Sequence, residues 1–262
     1  MRGIHSRCDR RRFLQVLAAA LPLASGATAR ANPASGPGPG PAPALVVLID
    51  GSIEMPQALI RGEQVIGGLQ HDLATEIGRR LGRAVKFRLV PRRRVAALLL
   101  AGDEADMICY YVPEWLPGAL RWSRPFVDDG DLLITAARVP APARLQDLAG
   151  QSIGTIAGFY YPEATAALGN RFVRDDGPNL GSSLRKMEAG RTDHALIGRT
   201  TFDYLKRRGQ VPLEVHPPLS VSQVRTRCAL SPHTRLPLAE LDEAIQALQA
   251  DGGLTDILKR YR

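Results

Sequence analysis

Two tyrosine doublets are the residues of this chain best suited to chemistry. Tyr110 and Tyr111 open the run Y-Y-V-P-E-W, which ends on Trp115, and Phe159, Tyr160 and Tyr161 follow the glycine turn at Gly158. Four of the six tyrosines fall in these two places, so scarce aromatic surface is concentrated at two points. Each doublet follows an apolar run of β type. Aromatics at a strand end are costly to leave in water and are expected to line a pocket. Two such walls facing each other would hold a flat or apolar ligand, or a cation against the ring faces. Side chains alternate along a strand, so one of each doublet is expected to point away. Glu114 and Glu163 flank the doublets, and a pair of cleft carboxylates is what acid–base chemistry would use.

Other polar candidates are sparser. Arg199 follows Gly198 at the end of an apolar run and is placed to receive an anionic group. Arg92, Arg93 and Arg94 lie where a loop opens into a helix; one of the three, best Arg94, is expected in a cleft and two in solvent. Ser52 and Glu54 follow the first apolar run and are candidates to touch a ligand. His71, His194, His216 and His233 are scattered, and neither H-E-x-x-H nor paired-cysteine spacing occurs, so no metal site is expected. There is no G-x-S-x-G and no G-x-x-x-x-G-K, and no cofactor is expected.

The elements that must position these residues alternate. Leu45 to Ile49 is a continuous apolar run, as for a buried parallel strand. Leu69, Leu73, Ile77 and Leu81 share a helix face that stops at Gly82. Strands are predicted at Val85 to Val90, Met107 to Tyr111 and Leu132 to Thr135, with a short helix from Val95 to Leu100. A second block repeats the logic, with strands at Ser152 to Ile156, His194 to Ile197 and Thr226 to Leu230. Its helices are predicted at Glu163 to Leu168, Leu180 to Glu188, Thr201 to Arg207, Leu238 to Leu248 and Leu254 to Tyr261. The stretches A-G-D-E-A-D-M-I from Ala101 and A-G-R-T-D-H-A-L from Ala189 share one design: a helix stopped by glycine, an aspartate, then a buried strand. Two similar α/β lobes leave a cleft between them and can close by hinge motion.

The N-terminus reads as a targeting segment. Asp9-Arg10-Arg11-Arg12-Phe13-Leu14-Gln15 has a twin-arginine signature, and the apolar run Phe13 to Leu23 is too short for a membrane anchor. Cleavage is expected after about Ala31, leaving a mature chain that does not span the membrane. Asn32 to Pro43 is a Pro/Gly-rich tether. The formal charge of +8 comes mostly from the leader, so the chain carries no footprint of a nucleic-acid partner. Cys8 leaves with the leader. Cys109 and Cys228 remain, either joined as a disulfide or held as buried thiols in adjacent strands.

Several short motifs in order carry a resemblance. They are Gly67-Gly68-Leu69-Gln70-His71-Asp72-Leu73-Ala74, the stretch Ala97 to Ile108, Trp122-Ser123-Arg124-Pro125-Phe126, Leu145 to Gly158, and Ala247 to Leu258. Over about Leu45 to Arg262 the chain resembles family 3 extracytoplasmic solute-binding proteins, the amino-acid-type receptors of ABC importers. The resemblance implies an α/β, two-lobed type II periplasmic-binding fold with a ligand cleft. The expected parts are a leader over 1–31, a linker over 32–44, a first lobe from 45–135 plus 222–262, and a second lobe from 136–221. It also implies a periplasmic monomer that captures a small molecule for an inner-membrane ABC permease, without catalysis. An enzyme on the same fold, of cyclohexadienyl dehydratase type, and a sensor or partner-binding module are the alternatives.

The motifs also depart from that family. No arginine stands near Trp115-Leu116 to hold a ligand carboxylate. Gly198-Arg199 replaces the aspartate that binds a ligand amine, and Phe159 and Tyr160 follow Gly158 in place of threonine. A free α-amino acid is therefore disfavoured, and the expected contact set is Ser52, Glu54, Arg94, Tyr110, Tyr111, Trp115, Gly158, Phe159, Tyr160, Tyr161 and Arg199.

Overall fold

Alternating short strands and amphipathic helices build two separate sheets in the computed structural model, which describes residues 43–262. The expected leader and nearly all of the linker lie outside the described residues. The first block holds β1 (Leu45–Asp50), β2 (Leu59–Arg61), β3 (Gln64–Gly67), α1 (Leu69–Arg80), β4 (Val85–Val90), α2 (Val95–Ala101), β5 (Met107–Tyr111), β6 (Arg121–Trp122) and β7 (Val127–Asp129). The second holds β8 (Asp131–Thr135), β9 (Ser152–Ile156), α3 (Pro162–Leu168), β10 (Val173–Gly177), α4 (Leu180–Glu188), β11 (His194–Gly198), α5 (Arg199–Arg207) and β12 (Leu219–Ser220). The chain then returns to the first sheet through β13 (Val224–Leu230), α6 (Leu238–Ala250) and α7 (Gly253–Lys259).

The first sheet runs β4-β1-β5-β13-β6, with β7 also on β13; the second runs β10-β9-β11-β8-β12. In each, three parallel strands are followed by an antiparallel one: β13 against β5, and β8 against β11. Parallel strands need crossovers, and the helices that make them cover both sheet faces. In the first lobe α1, α6 and α7 bury Leu73, Ile77, Leu241, Ile245 and Ile257 on one face, while α2 buries Val95 and Leu99 on the other. In the second, Leu184, Met187 and Phe202 cover one face and Ala164 and Leu168 the other. Gly82 and Gly102 end α1 and α2 at φ of 63° and 76°, where a side chain would be strained.

One boundary differs from expectation. Asp131–Thr135, assigned from sequence to the first lobe, pairs with β11 and β12 in the second sheet. Leu132, Leu133 and Ile134 would suit the interior of either sheet, and pairing alone decides. Two segments thus cross between lobes, Asp129–Asp131 and residues 220–224, and they touch. Val221 and Ser222 both donate a backbone N–H to Asp131 O, at 2.9 and 3.2 Å. Asp131 N–H donates to Ser222 Oγ at 2.8 Å. Gly130 sits where they meet, and a Cβ there would lie 2.1 Å from Ser222 O.

The cysteines are joined: Cys109 on β5 and Cys228 on β13 form a disulfide, tying strands 119 residues apart in sequence. Among the described residues no helix is long and apolar enough to cross a membrane.

Candidate functional site

The C-terminal ends of the parallel strands of both sheets converge on one cavity of about 110 Å³. This is where open α/β sheets place ligands. After β1 come Ser52, Ile53 and Glu54; after β4, Arg92; at and after β5, Tyr110, Tyr111 and Trp115; after β9, Phe159, Tyr160 and Tyr161; after β11, Gly198 and Thr201. Asp129, Gly130 and Asp131 of the crossing segment complete the lining, together with Gln57 and Gln70.

Both tyrosines of the first doublet face the cavity, contrary to the alternation expected of a strand. The cause is a bulge. Arg227 pairs with Tyr111 and Cys228 with Cys109, leaving Tyr110 without a partner on β13. Tyr110 has a φ of 70° and is the one non-glycine residue with positive φ among those described. A bulge residue in that left-handed region redirects its side chain. The strain it carries, on the order of 1–2 kcal/mol, is offset by hydrogen bonds of its hydroxyl. The hydroxyl lies 2.7 Å from Asp129 Oδ2 and 3.0 Å from Thr200 Oγ1. Tyr110 belongs to the first lobe, Asp129 to the crossing segment and Thr200 to the first turn of α5, so this buried network spans the molecule. Burial, then the Asp129 charge, push the Tyr110 phenol well above its ordinary pKa.

In the other doublet Tyr161 is buried, its hydroxyl accepting the Ile156 N–H at 3.2 Å, while Tyr160 is 56% exposed at the rim. Phe159 faces Tyr111 across the cleft with a guanidinium between them. The Arg92 Cζ lies 4.6 Å from the Tyr111 ring centre and 5.0 Å from that of Phe159. Its Nη2 donates to Trp115 O at 3.3 Å, and its Nε lies 4.0 Å from Asp50 Oδ2. Of the three arginines, Arg92 is the one in the cleft. Arg93 and Arg94 are exposed, so the expected role of Arg94 moves two residues back. The turn Arg92–Arg94 directs only its first side chain inward.

Three further expectations change. Arg199 stands outside the cavity, in a surface groove with Asp128 and Arg225, and donates to Ser220 Oγ at 2.9 Å. Gly158, at φ 81°, contributes backbone that packs on Arg93 and Arg92, with a built Cβ 3.3 and 3.4 Å from their Cγ atoms. Glu114 and Glu163 share a neighbouring cleft with Arg225 and Arg227 and do not line the aromatic cavity.

Of the acidic groups that do line it, Glu54 was expected, whereas Asp129 and Asp131 escaped sequence reasoning. Asp129 Oδ1 accepts the Thr200 N–H at 3.0 Å and the Thr200 hydroxyl at 3.1 Å. Burial raises its carboxyl pKa, against the lowering effect of those bonds. Asp131 is pushed up to about 7, by burial first, then by the Asp129 and Glu163 charges, with the Ser222 hydroxyl opposing. Glu54 Oε2 accepts the Gly181 N–H at 2.8 Å, a bond from the first lobe to the start of α4 in the second. The run V-D-D-G-D-L reads as an acidic turn in sequence. Its one signal was position, between two apolar runs that belong to different sheets.

No family model matches the chain, and no curated protein matches it. Solved structures do. The ligand-binding core of GluR0 in complex with L-glutamate superposes at a TM-score of 0.70 with 14% identity, covering 85% of this chain and 99% of that one. The ancestral amino-acid-binding protein AncCDT-1, a precursor of cyclohexadienyl dehydratase, gives 0.68 with 15% identity, over 83% and 95%. An ABC uptake transporter substrate-binding protein from Streptococcus pneumoniae with bound histidine gives 0.67 with 16% identity, over 84% and 92%. With two α/β lobes, two crossing segments and a cavity between the sheets, the chain has the two-lobed type II fold of periplasmic amino-acid-binding proteins.

Proposed function

We propose that this protein captures a small solute in the cleft between its lobes and closes over it by hinge motion at Asp129–Asp131 and residues 220–224. The observation that carries this reading is the shared cavity: both lobes contribute aromatic walls to one small space. Contacts to both lobes favour the closed form, and only a ligand that touches both can shift that balance. The similar structures with bound glutamate and histidine use the same fold for amino acids, which supports solute capture as the use here. In this reading the protein is exported to the periplasm by the twin-arginine leader, is cleaved after about Ala31, and acts as a monomer that delivers its solute to an inner-membrane ABC permease. The contact set is Ser52, Tyr110, Tyr111, Trp115, Phe159, Tyr160 and Tyr161, joined by Arg92, Asp129 and Asp131.

Thermal unfolding of the purified protein across amino acids, aromatic acids, amines, sugars and short peptides tests this. A ligand at about 100 times its Kd adds roughly 2.7 kcal/mol, a shift of a few degrees in the midpoint. A selective shift is expected; a flat panel with well-folded protein would overturn the reading.

One observation favours a second reading. A carboxyl held near pH 7 is suited to move protons, and Asp131 is such a group inside the cavity. Turnover of a bound solute by the purified protein, lost in Asp131→Asn, would establish an enzyme on this fold.

A further inference from the structure

We propose that the solute is a compact organic cation, an amine or related nitrogen base without a carboxylate, held by Asp131 and by the unpaired amide oxygens of Gln70 and Gln57. This rests on the cleft being a solute site and goes beyond it by naming the ligand's chemistry.

Anions have few places to dock. Helix N-termini are the ready-made anion sites of such folds, and at the starts of α4 and α5, which border this cavity, an amide is already taken by one of the protein's own carboxylates. Glu54 holds the Gly181 N–H of α4, whose next amide, Ser182 N–H, goes to Asn179 Oδ1 at 2.9 Å. Asp129 holds the Thr200 N–H of α5. Among the described residues Arg92 is the single basic side chain on the cavity wall. Its two ring contacts, its bond to Trp115 O and its proximity to Asp50 already engage it.

Donors, by contrast, are wanted. Gln70 is 4% exposed and its Oε1 has no hydrogen-bond partner among the described residues; the buried Gln57 Oε1 is in the same position. A buried acceptor without a donor forfeits the hydrogen bond it had with water, which a ligand N–H would restore. Asp131 lines the same cavity. The groups that set its charge are Asp129, Glu163 and the Ser222 hydroxyl, none of them cationic. An ammonium beside it would supply the missing positive charge. Arg174 already lies 5.3 Å from the Tyr161 ring centre, so the remaining ring face on the wall is that of Trp115, which suits a cation or a small ring. Size narrows the class: an engineered cavity of about 150 Å³ holds benzene, and this one is about 110 Å³.

Two matched sets of probes decide it: benzylamine, benzyl alcohol and benzoate, and butylamine, butanol and butyrate. Each is titrated calorimetrically into the wild-type protein at pH 6.5 and 8, in buffers of different ionisation enthalpy. In at least one set the amine is expected to bind ten-fold or more tighter than its alcohol and its acid. Proton release is expected at pH 6.5 as Asp131 ionises, and a ten-fold or greater loss in Asp131→Asn. Because proton release is read on the wild type, the outcome does not depend on that variant folding. An acid that binds as well as its amine, amine binding without proton release at pH 6.5, or no binding by all six probes would overturn the cation class. In the last case a midpoint shift caused by a sugar, peptide or amino acid would leave solute capture standing, whereas a flat solute panel would remove both.

Discussion

At Tyr110 one backbone angle decides what the cleft contains. A regular strand would have turned one of Tyr110 and Tyr111 away; the bulge opposite Arg227 and Cys228 turns both inward. Asp129 depends on the result, because the Tyr110 hydroxyl is one of its few donors. Asp131 gives this scale its sharpest prediction. Its carboxyl keeps a proton in the folded protein up to about pH 7 but would lose it near pH 4 when unfolded. Between those values the folded form binds more protons, so stability falls as pH rises through the window and this contribution is fully present only below it. Burial raises Asp129 and Asp50 in the same direction. In Asp131→Asn the decline in stability between pH 4 and 7, followed by denaturant unfolding, is expected to flatten, with a more stable protein at pH 8. An unchanged slope would mean that Asp131 is ionised and solvated in the folded state.

At the scale of elements, the two sheets are joined by two segments that pass within a van der Waals contact of each other. Gly130 is what allows it. In Gly130→Ala the new Cβ would meet Ser222 O at 2.1 Å, and the atom it meets is backbone, which cannot rotate aside. A loss of about 2 kcal/mol or more is expected in denaturant unfolding, with weaker ligand binding if the lobes are displaced. The disulfide acts on another element pair, β5 and β13. It closes a loop spanning 119 residues of sequence, so removing it by Cys109→Ala with Cys228→Ala is expected to cost about 2–5 kcal/mol. Much at this scale was legible in sequence. Continuous apolar runs gave β1, β5, β9 and β11, and i+4 spacing with a glycine stop gave α1. The rest was hidden for physical reasons. The hairpin of β2 and β3 is half exposed and carries little apolar pattern. The polar strand Val173–Gly177 is an edge strand that packs few side chains. The sheet that β8 joins depends on pairing, to which an apolar run is blind. In the site, strand-end aromatics were found because burial cost is written in residue type. Arg92 was displaced to Arg94 because three identical neighbours differ only in where a single turn points them.

For the whole molecule, the described form has its lobes fastened at several points. Glu54 bonds α4, the Tyr110 hydroxyl reaches Thr200, and Arg92 stacks on Phe159. Each bond joins the first lobe to the second, so each should favour closure. Glu54→Ala removes a charge-assisted bond worth roughly 1.5–3 kcal/mol. It is expected to speed solute release and to increase the radius of gyration measured by solution scattering. Whether the cleft between the lobes is a solute site is tested most directly by equilibrium dialysis of the protein against the pooled solute panel, with mass spectrometry of what is retained. Retention of one solute near one per chain is expected, falling ten-fold or more in a variant carrying Tyr111→Ala and Phe159→Ala. Well-folded protein that retains nothing, or a variant that retains the solute equally well, would contradict a binding site in the cleft.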